Sequence, residues 1–304
     1  MNLRPERSFL IPLICGLVAS ALIAFSILGS REPRAGSSAL ASVQASLSEP
    51  QLSAEAYVVR IIGEQTPLAE RRAGKRLAPA SLTKLMTAAI AAEKLDTGDK
   101  VIVSAGAKAV GERRSMVETG ETLSRDDLLR LALVASANDA ALALAEAVGA
   151  GAGSSSFPER IQTFVRLMNG KARILGLDNT RFENPTGLDA AGHYASASDL
   201  ARLAEYLLYR HPDLWRMTRS SETTAVGASG TRYRMAATNE LLGEFPAIRG
   251  GKTGFTGNAK EALLLLYPVK PGRTAIVVIL KSEDRFGDGR KVIRWLEEYG
   301  DRNQ

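Results

Sequence analysis

The sequence predicts an α+β domain, an antiparallel sheet covered by helices, behind an N-terminal transmembrane or signal helix. Three observations predict it. An uncharged apolar run opens the chain at residues 9–28. A β-type run follows at 57–62, and two more stand near the end at 263–267 and 274–280. Between them lie several helical patterns, so the two ends of the chain bracket one sheet.

The opening run is twenty residues long and follows Arg4 and Arg7. At about 1.5 Å per residue it spans a hydrocarbon core of about 30 Å. It exceeds the usual length of a cleavable apolar segment, and an uncleaved signal anchor is favoured over a cleaved signal peptide. Cys15 follows Ile14 rather than a small residue, which argues against lipidation. Residues 31–54 are rich in Ala, Ser, Pro and Gln without apolar period and read as a flexible linker. The division is then 1–30 signal anchor or signal peptide, 31–54 linker, 55–300 folded domain and 301–304 tail.

Within the domain, residues 57–62 (YVVRII) alternate as a strand. Residues 81–95 form an Ala-rich buried helix, with Pro79 ahead of it and Gly98 behind. Residues 101–103 make a short strand. Ser124 and Asp127 have the spacing of a capping box, with Asp in place of Glu, and open a second helix. Asn138 or Asp139 can cap the next helix, 140–148. Residues 157–175 and 199–209 are amphipathic helices. The apolar runs 263–267 and 274–280 are joined by a Pro-Gly turn, and 291–299 is a closing helix.

Composition narrows the chemistry. The chain has 304 residues, 39 Lys and Arg against 33 Asp and Glu, one Cys and two His. One cysteine excludes an intramolecular disulfide and any multi-Cys zinc site. Two histidines leave little room for His-rich metal centres. No metal or organic cofactor is expected. The net charge of +6 is too mild to name a partner, and no nucleic-acid signal is present.

Three short motifs can carry chemistry. In Ser81-Leu82-Thr83-Lys84 the hydroxyl and the amine share a helix face. Serine needs a base to become a nucleophile, and a neutral lysine can serve. The quartet alone is weak, since a chain of this composition shows about one by chance. Ser136-Ala137-Asn138 sits at a helix break, where hydroxyl and amide can line a cleft or simply cap a helix. Lys252-Thr253-Gly254, within a Gly-rich stretch, offers a cation, a hydroxyl and room for close approach, or else only a turn.

Taken together and in order, the motifs resemble the S-x-x-K, S-D-N and K-T-G set of penicillin-binding proteins and class A β-lactamases, with the middle motif reading S-A-N here. Wider stretches resemble the low-molecular-mass D-alanyl-D-alanine carboxypeptidases, peptidase family S11. These are Pro79-Ala80-Ser81-Leu82-Thr83-Lys84-Leu85-Met86-Thr87, Ser136-Ala137-Asn138-Asp139-Ala140-Ala141, Asn184-Pro185-Thr186-Gly187-Leu188 and Lys252-Thr253-Gly254-Phe255-Thr256. The resemblance implies Ser81 as acylated nucleophile, Lys84 as its base, and Ser136 and Asn138 as cleft residues that assist proton transfer. It implies that Lys252, Thr253 and Gly254 bind substrate, that the backbone N–H groups of Ser81 and Phe255 form the oxyanion hole, and that Arg285 helps hold the substrate carboxylate. Phe255 stands where many relatives have His.

The implied activity is removal of the terminal D-Ala from peptidoglycan stem peptides through an acyl-enzyme, with β-lactams as covalent inhibitors. The domain would be held on the extracytoplasmic side of a bacterial membrane by the N-terminal helix. Cleavage of D-Ala cross-links, or a silent penicillin-binding fold that senses wall synthesis, are the alternatives. A class A β-lactamase would need an E-x-x-L-N pattern near 157–175, and none is there. His193 and His211 read as structural, and no G-x-S-x-G elbow supports a histidine triad.

Overall fold

The computed structural model describes residues 48–109 and 115–302. Strands β1 (Ala56–Ile61) and β2 (Ala69–Arg71) open the domain, and a 3-10 turn at Ala80–Thr83 runs into α1 (Lys84–Lys94). Then come β3 (Lys100–Ile102), α2 (Ala105–Lys108), β4 (Thr122–Ser124), α3 (Arg125–Leu133), α4 (Asn138–Gly151), α5 (Phe157–Ile174), α6 (Ala197–Arg210) and α7 (Pro212–Met217). The chain closes with β5 (Glu222–Val226), β6 (Arg232–Ala236), α8 (Leu241–Glu244), β7 (Gly250–Thr256), β8 (Lys260–Lys270), β9 (Arg273–Ser282) and α9 (Arg285–Arg302).

The main sheet has the order β2-β1-β9-β8-β7. Its neighbours are all antiparallel, with Ala56 opposite Leu280 and Ile61 opposite Ala275 where the two ends of the domain meet. The expected α+β architecture is therefore present. The apolar runs of β8 and β9 are continuous because both faces of the sheet are covered. Leu264, Leu266, Ile276 and Val278 face the helices of the central lobe, where they join Leu85, Leu131 and Phe164. Leu263, Leu265, Val277 and Ile279 face the other way and pack on Val292, Ile293 and Leu296 of α9.

Several boundaries differ from the sequence reading. The first helix begins as a 3-10 turn, and the closing helix starts at Arg285 rather than 291. Ser124 caps α3 by accepting from the Asp127 N–H at 3.1 Å, but the Asp127 carboxylate turns to the Ser124 hydroxyl, not its backbone. Residues 48–54, read as linker, pack on the domain. Leu52 and Ala54 are buried, and the Ser53 hydroxyl donates to buried Asp288 at 2.8 Å. The β5–β6 hairpin was not anticipated, and the Gly-rich segment at 250–256 is a full edge strand. The expected membrane-directed helix lies outside the described residues, among which no helix is long and apolar enough to cross a membrane.

Candidate active site

The 3-10 turn sets the site. With three residues per turn, positions i and i+3 eclipse, so Ser81 and Lys84 stack on one side. Lys84 is fully buried and Ser81 is 7% exposed. Lys84 Nζ lies 2.9 Å from Ser81 Oγ, 2.7 Å from Asn138 Oδ1 and 2.7 Å from the Thr186 carbonyl oxygen. The last two oxygens only accept, whereas the Ser81 hydroxyl can accept or donate. A neutral amine has two N–H groups for the carbonyls and a lone pair for the Ser81 proton. An ammonium satisfies the same three oxygens. A proton can thus cross between Ser81 and Lys84 without rearranging these partners.

The backbone here is tightly constrained. Ala80 has φ +47°, and a Cβ on Gly187, itself at φ +88°, would stand 1.9 Å from the Ala80 oxygen. Asn184 shapes the loop that carries Gly187, its Oδ1 accepting from the Thr186 and Gly187 N–H groups at 3.1 and 2.8 Å. Thr87 ties that loop to α1 by donating to the Pro185 oxygen at 2.6 Å.

Ser136 lies in the break between α3 and α4, buried and held at φ +60°. This is the left-handed region, disfavoured for non-glycine residues and kept only where surroundings over-determine it. Its hydroxyl accepts from Lys252 Nζ at 2.8 Å, and Lys252 also donates to the Thr253 oxygen at 2.9 Å. The turn at 136–138 therefore touches both buried lysines, Lys252 through Ser136 and Lys84 through Asn138.

Strand β7 forms the opposite wall. It ends the sheet order, so only β8 pairs with it. A Cβ on Gly254 would lie 2.9 Å from Ala80 Cβ and 3.1 Å from the Ser81 nitrogen, so glycine is what lets the strand pass the nucleophile. Thr253 Oγ1 sits 2.5 Å from Thr238 Oγ1. Phe255 is half exposed at the rim. Arg285, on the first turn of α9 just after β9, donates to the Gly254 oxygen at 3.1 Å and lies 3.7 Å from Glu261.

The structure thus gathers Ser81, Lys84, Ser136, Asn138, Lys252, Thr253 and Gly254, with Phe255 and Arg285 beside them. The sequence reading assigned no role to Thr186, Gly187 or Thr238. Thr186 and Gly187 fall in a quoted stretch, but a backbone carbonyl and a steric requirement leave no side-chain signature; Thr238 had no signal. His193 touches Thr83, not Ser81. Its Nδ1 accepts from the Glu183 N–H at 3.1 Å, so Nε2 carries the proton that meets Thr83 Oγ1 at 2.8 Å. Burial lowers its pKa to about 4, against a small opposing effect of Asp189. Among the described residues, no group of three or more His, Cys, Asp or Glu could hold a metal ion.

Fold and site define a domain with a buried Ser–Lys pair held between a helical lobe and an edge strand. A family model described as D-alanyl-D-alanine carboxypeptidase, peptidase S11, matches residues 43–284. The D-alanyl-D-alanine carboxypeptidase DacF of Bacillus subtilis is 38% identical over 201 residues, covering 64% of this chain and 49% of its own. DacC of Escherichia coli is 34% identical over 260 residues, covering 81% of this chain and 62% of its own. The chain thus spans about half to three-fifths of the length of these relatives. The crystal structure of the Streptomyces K15 DD-transpeptidase superposes with a TM-score of 0.75 at 26% identity, covering 83% of this chain and 99% of that one. The chain belongs to the D-alanyl-D-alanine carboxypeptidase family, S11.

Proposed function

We propose that this protein is a serine-type D-Ala-D-Ala carboxypeptidase acting on peptidoglycan stem peptides. One observation carries the proposal. Ser81 and Lys84 stand 2.9 Å apart in a buried site whose other wall is an edge strand. An extended peptide can add to such an edge through main-chain hydrogen bonds. Thr253, Lys252 and Arg285 supply a hydroxyl and positive charge for its terminal carboxylate.

Lys84 takes the Ser81 proton as Oγ attacks the carbonyl carbon of the penultimate D-Ala. The oxyanion is received by the N–H groups of Ser81 and Phe255, where fixed donors stabilise developing charge. The C–N bond breaks as the proton held on Lys84 passes, by way of the Ser136 hydroxyl, to the leaving amine, which leaves Lys84 neutral again; Lys252 fixes that hydroxyl at 2.8 Å. Water, deprotonated by Lys84, then attacks the acyl carbon and frees Ser81. β-Lactams would acylate the same oxygen. The apolar run at 9–28 would anchor the chain, with the domain on the extracytoplasmic side of a bacterial membrane.

Product analysis tests this reading. Free D-Ala released from a pentapeptide ending in D-Ala-D-Ala supports it. Cleavage of a cross-linked dimer with no release from the pentapeptide would replace it with an endopeptidase, and neither product with a non-catalytic role.

A further inference from the structure

The residue after Asn138 is a buried carboxylate. Asp139 is fully buried on the first turn of α4. A carboxylate there usually serves its own helix by accepting its first N–H groups. Asp139 does so only once, from Ala140 at 2.9 Å. Its other bonds leave the helix. Oδ2 takes Lys108 Nζ at 2.7 Å and the Ser115 hydroxyl at 2.7 Å, and Oδ1 takes the Ser115 N–H at 2.8 Å. Lys108 closes the triangle by donating to the Ser115 oxygen at 2.9 Å.

Two further facts give this clamp a purpose. The cap residue of α4, Ala137, offers no side chain to the helix start. Just before it, Ser136 holds its left-handed φ of +60°. An uncapped helix start joined to a strained turn does not fix its own orientation, and something outside must do so. Asp139, the residue that follows the turn, accepts from Lys108 and Ser115 of another segment. Glu146, further along α4, accepts from Ser104 Oγ at 2.5 Å at the head of α2, so α2 is tied to α4 by two carboxylates.

We propose that Asp139 is a positioning residue for the acyl-transfer site, locking the 136–138 turn so that Asn138 meets Lys84 and Ser136 meets Lys252. This deepens the acyl-enzyme reading and rests on it. Asp139 touches neither nucleophile nor substrate and acts through its neighbours. In Asp139→Asn an amide NH2 must face Lys108, Ser115 or Ala140, which all donate to it, so the turn must shift to relieve the clash.

The test is stopped-flow acylation of the full-length chain by a fluorescent penicillin, resolving noncovalent affinity from the acylation rate constant, beside thermal melting. Wild-type protein must acylate first; failure there sinks the functional reading and not this one. In Asp139→Asn the rate constant should fall by about 10²-fold, the loss typical of a small misplacement, with little change in affinity. The double variant Asp139→Asn/Lys108→Met removes both charges. It should regain melting temperature without regaining rate. Wild-type rate in folded Asp139→Asn, or recovery of rate together with melting temperature in the double variant, would overturn the proposal. Should Asp139→Asn not fold, Ser115→Ala removes one hydroxyl from the clamp and decides. A slowed acylation at near wild-type melting supports the assignment, and an unchanged rate refutes it.

Discussion

Gly254→Ala probes the closest contact in the site. The added methyl would sit 2.9 Å from Ala80 Cβ, 3.1 Å from the Ser81 nitrogen and 3.2 Å from the Pro79 oxygen. None of these is the end of a flexible side chain. Ala80 already sits at φ +47°, and its oxygen is packed against Gly187, so the turn has little room to shift. Strand β7 must move instead. Overpacking of this kind costs about 1–3 kcal/mol. In a domain of this size each kcal/mol lowers the melting temperature by about 2–4 °C. The larger effect falls on chemistry, because β7 carries Lys252, Thr253 and the Phe255 N–H. A displacement of about 1 Å can cost about 10²-fold in rate. Acylation by a fluorescent penicillin and a melting curve on the same sample measure both. A variant that acylates at the wild-type rate would refute the claim that β7 is positioned by contact with the Ser81 turn.

Other outcomes follow from the same geometry. Lys84→Met keeps side-chain bulk and removes the base, so acylation should fall by about 10²–10⁴-fold in a folded protein, read by the same assay. Preserved acylation would leave Ser81 activated by another group. His193 is neutral when folded, with its pKa lowered to about 4 from an ordinary 6.5. Between those values the unfolded chain binds a proton that the folded one does not. The stabilisation is complete above pH 6.5 and is lost as pH falls to about 4, in total about 3 kcal/mol. His193→Gln should flatten that part of the stability curve measured by urea unfolding, and an unchanged slope would show that His193 is not its source.

Much of this arrangement is visible in the sequence, and the reasons differ by element. Strands β8 and β9 announce themselves because a sheet buried on both faces needs apolar residues at every position. The Ser81–Lys84 pair is visible because spacing alone sets which residues share a helical face. Strand β7 is obscured by the glycines that make it work, since Gly254 reads as a turn until the Ser81 nitrogen is known to lie behind it. The hairpin β5–β6 is short, five residues in each strand, and buries only Thr223, Ala225 and Tyr233. The Thr186 carbonyl leaves no side-chain trace. Asp139 has the sequence signature of a helix-start residue, and only the fold shows that Lys108 and Ser115 hold it.

The most direct measurement is the site of covalent attachment. Wild-type protein and Ser81→Ala are incubated with a labelled penicillin, denatured, digested and analysed by mass spectrometry. One adduct is predicted, on the peptide that carries Ser81, and none on the Ser81→Ala protein. An adduct that persists in Ser81→Ala, or wild-type protein with no adduct at all, would contradict Ser81 as the nucleophile.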